Sequence, residues 1–476
     1  MTPPNQAASA PADAGAAPTS IPLRAWLALA VSAAGQVLYA FNLTATNIAF
    51  EDIGRTFSDA DPATLSWVAT VFLIGSASLL LVSGRVADLI GRRRVFNAGL
   101  VTFAVSAVVS AVAPSLWVLV AGRLLGAAAA AMVVPSGLAM ILPLFPAERH
   151  GTAIGLWSSS GPIVSIVAPS ISALVLDATD WRVLYALTAP IALLALVAGI
   201  PVLQESRSAA NSGRLDLVGV VSGTGAIALI VFVVANGPAR GFTSGPVLAA
   251  AAVGAVLLPL FLHRCRTHPR PLLNLDVFRI RTVWSANLAN WWIGLVSTST
   301  WLVWPLFFAR IWGYSKTTIG GALTAGPICA FTFTIVGGRL VDRYGSRRVA
   351  VCGSLVAPVA LGWPLLFLGE EPNYWLAAAP AVGLFGVAWA STMPSLQSGI
   401  IRQVPAAVYG EANAAFNTVR NVAGAVGIAA ALAIVGPRDR PDPMAAYDRV
   451  WLCSFVAVTL GMLTVVLLYP SDRRDR

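Results

Sequence analysis

Charged residues make up only 11% of this 476-residue sequence, and of its 31 basic residues a single one, Lys316, is lysine. With 57% hydrophobic residues and a mean hydropathy of +0.76, the chain is too apolar for a soluble protein of this size. Cysteine is scarce as well. Cys265, Cys329, Cys352 and Cys453 show no ligand-like spacing, so neither a disulfide nor a metal site is expected. Histidine is limited to His150, His263 and His268, and no nucleophile elbow or His/Asp cluster appears. The sequence therefore offers little to an enzyme and calls for no cofactor.

What is present is one long apolar run after another. A membrane-crossing helix needs roughly 20 mainly apolar residues. The chain divides into fourteen such runs, at 24–50, 63–83, 95–113, 116–144, 151–176, 181–203, 215–236, 245–263, 282–309, 318–338, 349–369, 374–400, 411–435 and 449–469. An even number places both termini on one side, and the Lys/Arg count decides which side that is. Of the 31 basic residues, 21 fall on the side of the termini, 8 opposite, and two, Arg123 and Arg420, inside spans. Both termini are thus expected in the cytoplasm. A net charge of +10 would otherwise suggest a nucleic-acid partner, but the arginines sit in short clusters between apolar runs, where they set topology. Residues 1–21, rich in Ala and Pro, read as a disordered cytoplasmic tail rather than a cleaved signal.

The chain also repeats itself. "GRVADLIGRRRV", Gly84 to Val95, and "GRLVDRYGSRRV", Gly338 to Val349, both follow an even-numbered span on the cytoplasmic side. Positive-inside topology accounts for their arginines but not for Asp88 and Asp342 at matching positions. Two related halves, with a central site between them, are the expectation.

Gly84, Asp88, Gly91 and Arg92 resemble the loop signature of the major facilitator superfamily, and Gly338, Asp342, Gly345 and Arg348 its degenerate copy. Asn42, Thr44, Asn47 and Ala49 resemble the first-span "LDxTxxNxALP" pattern of the fourteen-helix drug:proton antiporters. "WRVLYALTAPI", Trp181 to Ile191, and "NAAFNTVRNVAGAVG", Asn413 to Gly427, are similar to that family's sixth and thirteenth spans. The resemblance implies an all-α polytopic membrane protein of major facilitator fold. A six-helix bundle would occupy 22–203, and 204–281 would hold cytoplasmic linkers with two inserted spans. A second bundle would follow at 282–470, then a short tail at 471–476. The two signature loops would act as a conformational latch, and the protein would work as a monomer in a bacterial inner membrane.

Ionisable groups inside a bilayer are costly and so are candidates for function. Arg123 either takes part in proton exchange, as the resemblance implies, or hydrogen-bonds backbone carbonyls as a brace. Asn413, Asn417, Arg420 and Asn421 recur at spacings of four, three and one, forming a polar stripe on one helix face. That stripe serves either substrate or interhelical hydrogen bonding. Asn290, Trp291 and Trp292 lie in the ninth span, where indole rings could line a pocket. Trp301 and Trp304 lie nearer its outer end and fit an interfacial belt. "WSSSGPIVSIVAPSISA", Trp157 to Ala173, resembles the antiporter motif of the fifth span, with small residues in place of its closing glycines.

Asn42 stands where the antiporter pattern has an aspartate, and an amide cannot release a proton. None of the 21 acidic residues falls mid-span, which leaves Glu51, Asp52 and Glu411 as candidate proton carriers. The buried charge is net positive, which disfavours cationic substrates. The expectation is alternating-access export of small lipophilic compounds, neutral or anionic, coupled to protons. The alternatives are a uniporter or symporter of an organic anion, a cation antiporter using Glu51 and Asp52, or a sensor that binds without transport.

Overall fold

The computed structural model describes residues 21–60, 62–65, 67–205, 216–269, 271–404, 409–436 and 443–470. The expected tail at 1–21 except its last residue, the tail at 471–476, most of the first linker and the Glu411 side chain lie outside the described residues. Among those described, fourteen helices are long and apolar enough to cross a membrane. They are α1 Leu23–Thr56, α2 Trp67–Ile90, α3 Arg92–Ala111, α4 Leu116–Leu144, α5 His150–Ala178, α6 Trp181–Val202 and α7 Leu217–Val234. The second set is α8 Gly245–Thr267, α9 Arg281–Arg310, α10 Thr318–Tyr344, α11 Ser346–Phe367, α12 Tyr374–Gln403, α13 Ala412–Val435 and α14 Met444–Leu468. Helix ends depart from the sequence reading at α2, which continues to Ile90 rather than ending at 83, and at α1, which continues to Thr56 rather than ending at 50. Arg55 pairs there with Glu51 at 2.8 Å and Asp52 at 3.2 Å, at helical spacings of four and three that favour an extra turn.

Within the first half, α1 packs on α4, α5 and α6, α2 packs on α4, and α3 packs on α4 and α6. The second half reproduces this pattern: α9 packs on α12, α13 and α14, α10 on α12, and α11 on α12 and α14. Two six-helix bundles result. They meet along two equivalent pairs, α2 with α13 and α5 with α10. The α5–α10 seam depends on missing side chains. A Cβ on Gly338 would lie 2.5 Å from the Gly151 carbonyl oxygen, and one on Gly155 would lie 2.7 Å from that of Thr334. This closest approach is at the arginine-rich end, where α5 starts and α10 ends.

Helices α7 and α8 pack on each other, and α7 also lies against α2 and α13. A clasp holds the inserted pair together at the arginine-rich end. The nearly buried Asp216 carboxylate, capping α7, accepts hydrogen bonds from the Gly219 N–H at 3.0 Å and from Arg264 Nη2 of α8 at 2.8 Å. Burial alone would raise the Asp216 pKa. The Arg264 and Gly219 hydrogen bonds, with the nearby His268 and Arg264 charges, outweigh it and hold the carboxyl below its usual range. A depressed carboxyl contributes stability above its unfolded pKa and loses it as pH falls through the folded value. The clasp is therefore expected to hold at neutral pH and to weaken below about pH 4. Melting temperatures of the detergent-solubilised protein should show this acid loss in wild type. Asp216→Asn should be less stable at neutral pH and show a smaller acid loss, and an identical loss would remove the clasp from the account.

Candidate substrate site between the two bundles

The turns that follow α2 and α10 confirm the internal repeat in three dimensions. Gly91 (φ 114°) and Gly345 (φ 87°) each sit in the left-handed region that L-residues avoid, immediately before α3 and α11. The two aspartates of the repeat, however, have different partners. Asp88 stays in its own half, accepting from Arg92 Nη2 at 3.0 Å and Nε at 3.1 Å, while Arg92 also donates to the Ala139 carbonyl. Asp342 crosses between halves. Its carboxylate accepts from the Gly151 and Thr152 N–H groups, both at 2.7 Å, from the Thr152 hydroxyl, and from Arg402 Nη2 at 3.2 Å. A carboxylate on the first N–H groups of α5 satisfies orphan donors and meets the positive end of the helix dipole. Gly84 and Gly338 are buried beside these turns, and Arg348 is exposed.

Above this seam lies a cavity of about 260 Å³ between the bundles. Its walls come from α1, α5, α9, α10, α12 and α13. Pro162 and Pro394, inside α5 and α12, lie in the lining. Each interior proline removes one helical hydrogen bond, freeing a carbonyl four residues earlier. For Pro162 that residue is Ser158, itself in the lining. Trp157, Trp301, Trp304, Phe385, Trp389 and Phe416 supply aromatic surface. Among the described lining residues Arg420 alone is charged.

Arg420 ends a relay of amides. Its Nη2 donates to Asn417 Oδ1 at 2.7 Å, Asn417 Nδ2 donates to the Asn413 carbonyl at 2.8 Å, and Gln397 Nε2 of α12 donates to Asn413 Oδ1 at 2.5 Å. The stripe read from the sequence thus turns inward and joins α12. At ~1.5 Å per residue, Arg420 lies roughly 12 Å inside the start of α13. Trp301 and Trp304 lie toward the opposite end of α9. The cavity therefore has a polar floor near the arginine-rich end and aromatic walls above it.

Arg123 is placed differently. It is 1% exposed and lines neither this cavity nor the small recess beside it. Its Nε donates to the Val68 carbonyl at 3.0 Å and its Nη1 donates to the carbonyl and the side-chain oxygen of Asn42. The guanidinium also stacks over the Phe72 ring at 4.4 Å. These contacts tie α4 to α1 and α2. Asn42 is thus the acceptor for Arg123, a task a neutral amide can perform. Thr46 extends the contact, donating to the Asn42 carbonyl at 2.8 Å and meeting the Tyr185 hydroxyl at 3.1 Å.

The other candidates lie apart from the cavity. Asn47 is exposed and Thr44 half-buried. Asn290 is fully buried and donates to the Phe416 carbonyl at 2.6 Å, joining α9 to α13. Trp291 and Trp292 are half-buried outside the lining, and Trp292 approaches Gly461 of α14. Trp301 and Trp304, read as an interfacial belt, line the cavity instead. Glu51 and Asp52 sit in the exposed pair with Arg55. Sequence reasoning did not single out Gln36, Tyr39 or Gln397. Gln36 and Tyr39 lie three residues apart on α1, a spacing that marks a common face, whereas Gln397 is a lone amide in an apolar run.

Residues 32–428, and again 286–476, match the family model of the Major Facilitator Superfamily. The chain belongs to the major facilitator superfamily. The lincomycin resistance protein LmrB of Listeria monocytogenes is 26% identical over 83% of each chain. The multidrug efflux pump LfrA of Mycolicibacterium smegmatis is 30% identical over 86% of this chain and 81% of its own. Among solved structures, the proton:xylose symporter XylE bound to 6-bromo-6-deoxy-D-glucose superposes with a TM-score of 0.70. It covers 95% of this chain and 97% of its own at 17% identity, a likeness of fold alone. This member of the superfamily is a multi-pass membrane transporter and not an enzyme. Its two six-helix bundles carry the superfamily fold, with α7 and α8 added.

Proposed function

We propose that this transporter exports small lipophilic compounds, neutral or anionic, by alternating access in the cytoplasmic membrane of a bacterium, exchanging them for protons. The observation that carries the reading is the cavity between the bundles, which is walled by aromatic rings and holds one arginine and no described carboxylate. Apolar and aromatic walls favour lipophilic bodies, and a fixed cation disfavours positively charged ones. The resistance and efflux relatives support the direction of transport. The excess of arginines around α2–α3, α8–α9 and α10–α11 supports a cytoplasmic assignment for that end. With α5 and α10 in closest contact there, the cavity belongs to an outward-facing arrangement. Candidate proton carriers are Glu51, Asp52 and Glu411.

One observation favours a second reading, an uncoupled uniporter of organic anions. Glu51 lies nine residues, about 13.5 Å along the axis, beyond Asn42, and it is exposed and paired with Arg55. Uptake into energised everted vesicles separates the readings. Neutral and anionic dyes should accumulate against their gradients, cationic dyes of equal size should not, and a protonophore should abolish accumulation. Equilibration without accumulation would favour the uniporter, and accumulation of cations alone would overturn the charge preference.

A further inference from the structure

Beside the main cavity lies a recess of about 20 Å³, bounded by α1, α2, α4 and α13. Gln36, Tyr39, Asn417 and Arg420 line both spaces, so the recess opens off the cavity at Arg420. Ser76 and Asn421 add polar groups, and Leu80 and Val134 are among its apolar walls. The volume suits one water-sized particle. Among the described residues no carboxylate pairs with Arg420, and the titratable group facing it is the Tyr39 phenol. A cation held at membrane depth without a counter-charge is unfavourable. Water would fit the recess but would leave that charge standing. The amide N–H groups of Gln36 and Asn421, the Tyr39 O–H and the remaining Arg420 N–H groups can all donate, and the donor-only guanidinium makes the set suit an anion. Arg123 is not placed for such a role, because it lines neither the cavity nor the recess and its Nε and Nη1 are taken by Val68 and Asn42.

We propose that Arg420 and this recess form a binding site for one compact anionic group, either a free halide or the carboxylate of a lipophilic substrate whose apolar body fills the main cavity. The site stands whether or not the chain exports anything, so its test is made on binding.

Purified full-length protein in uncharged detergent would be melted at constant ionic strength while chloride replaces gluconate. A saturable rise in melting temperature is expected in wild type. In Arg420→Gln the apparent chloride affinity should fall by about tenfold or more, and Arg420→Lys should keep most of it. Asn421→Ala, a milder change, should weaken chloride binding even if Arg420→Gln does not fold. A second arm titrates naphthoate and its methyl ester in chloride-free buffer. Naphthoate that stabilises the protein and loses apparent affinity as chloride is added supports a site shared by both sources. Chloride stabilisation without a naphthoate effect supports a halide site. A chloride response equal in wild type, Arg420→Gln and Asn421→Ala, or no response to either anion in wild type, overturns the proposal.

Discussion

Arg123→Ala is expected to cost about 2–3 kcal/mol of stability, from the lost charge-assisted hydrogen bonds and the buried acceptor left without a donor. The variant should melt far below wild type in detergent or fail to accumulate in the membrane. The guanidinium satisfies the Val68 carbonyl and the Asn42 side-chain oxygen and fills space over Phe72. Its removal leaves the buried Asn42 side-chain oxygen unpaired, while the Val68 and Asn42 backbone carbonyls keep their helical partners. The double variant Arg123→Met with Asn42→Leu should recover part of the loss, because replacing both partners by apolar groups leaves fewer orphans. Normal melting of Arg123→Ala would show that the brace between α4, α1 and α2 is dispensable.

Asp342→Ala is expected to shift the balance between the two states by about a hundredfold. The variant removes three hydrogen bonds to the start of α5 and an ion pair to Arg402. Hydrogen bonds to charged groups are worth roughly 1.5–3 kcal/mol each, and partial re-solvation of the freed groups returns some of that cost. A net loss near 2.8 kcal/mol corresponds to about a hundredfold. Spin labels at the exposed positions 149 and 343, in a cysteine-free background, would report the opening as a longer distance. Asp88→Asn should change that distance less, since Asp88 pairs within its own half. Equal responses from the two variants would contradict the asymmetry seen here.

Most of the fold was legible because membrane helices advertise themselves. Twenty apolar residues, an arginine imbalance and a repeated loop are signals that survive without tertiary information. The end of α1 was hidden because a local ion pair, not hydropathy, extends it. The site was legible only where periodicity gave a face. Asn417 and Arg420, three residues apart, could be placed on one side of α13, and they line the cavity together. The tryptophans of α9 were harder to place. Trp301 and Trp304 share a face with Thr300 in the lining, whereas Trp292 lies nine residues before Trp301, about half a turn round the helix. Which face looks inward is decided by α12, α13 and α14, and no count along α9 reveals it. The role of Asn42 was hidden for the same reason, since its partner Arg123 lies on another helix.

The most direct test of the account fills the cavity without disturbing the fold. Gly161 of α5 lines the cavity, and a Cβ built there meets nothing within 4 Å. Gly161→Phe should therefore keep the wild-type melting temperature while its ring occupies the space assigned to substrate. Export measured in energised everted vesicles should fall to the level of empty membranes. Export at the wild-type rate by a folded Gly161→Phe protein would contradict the central claim that substrates pass through the cavity between the two bundles.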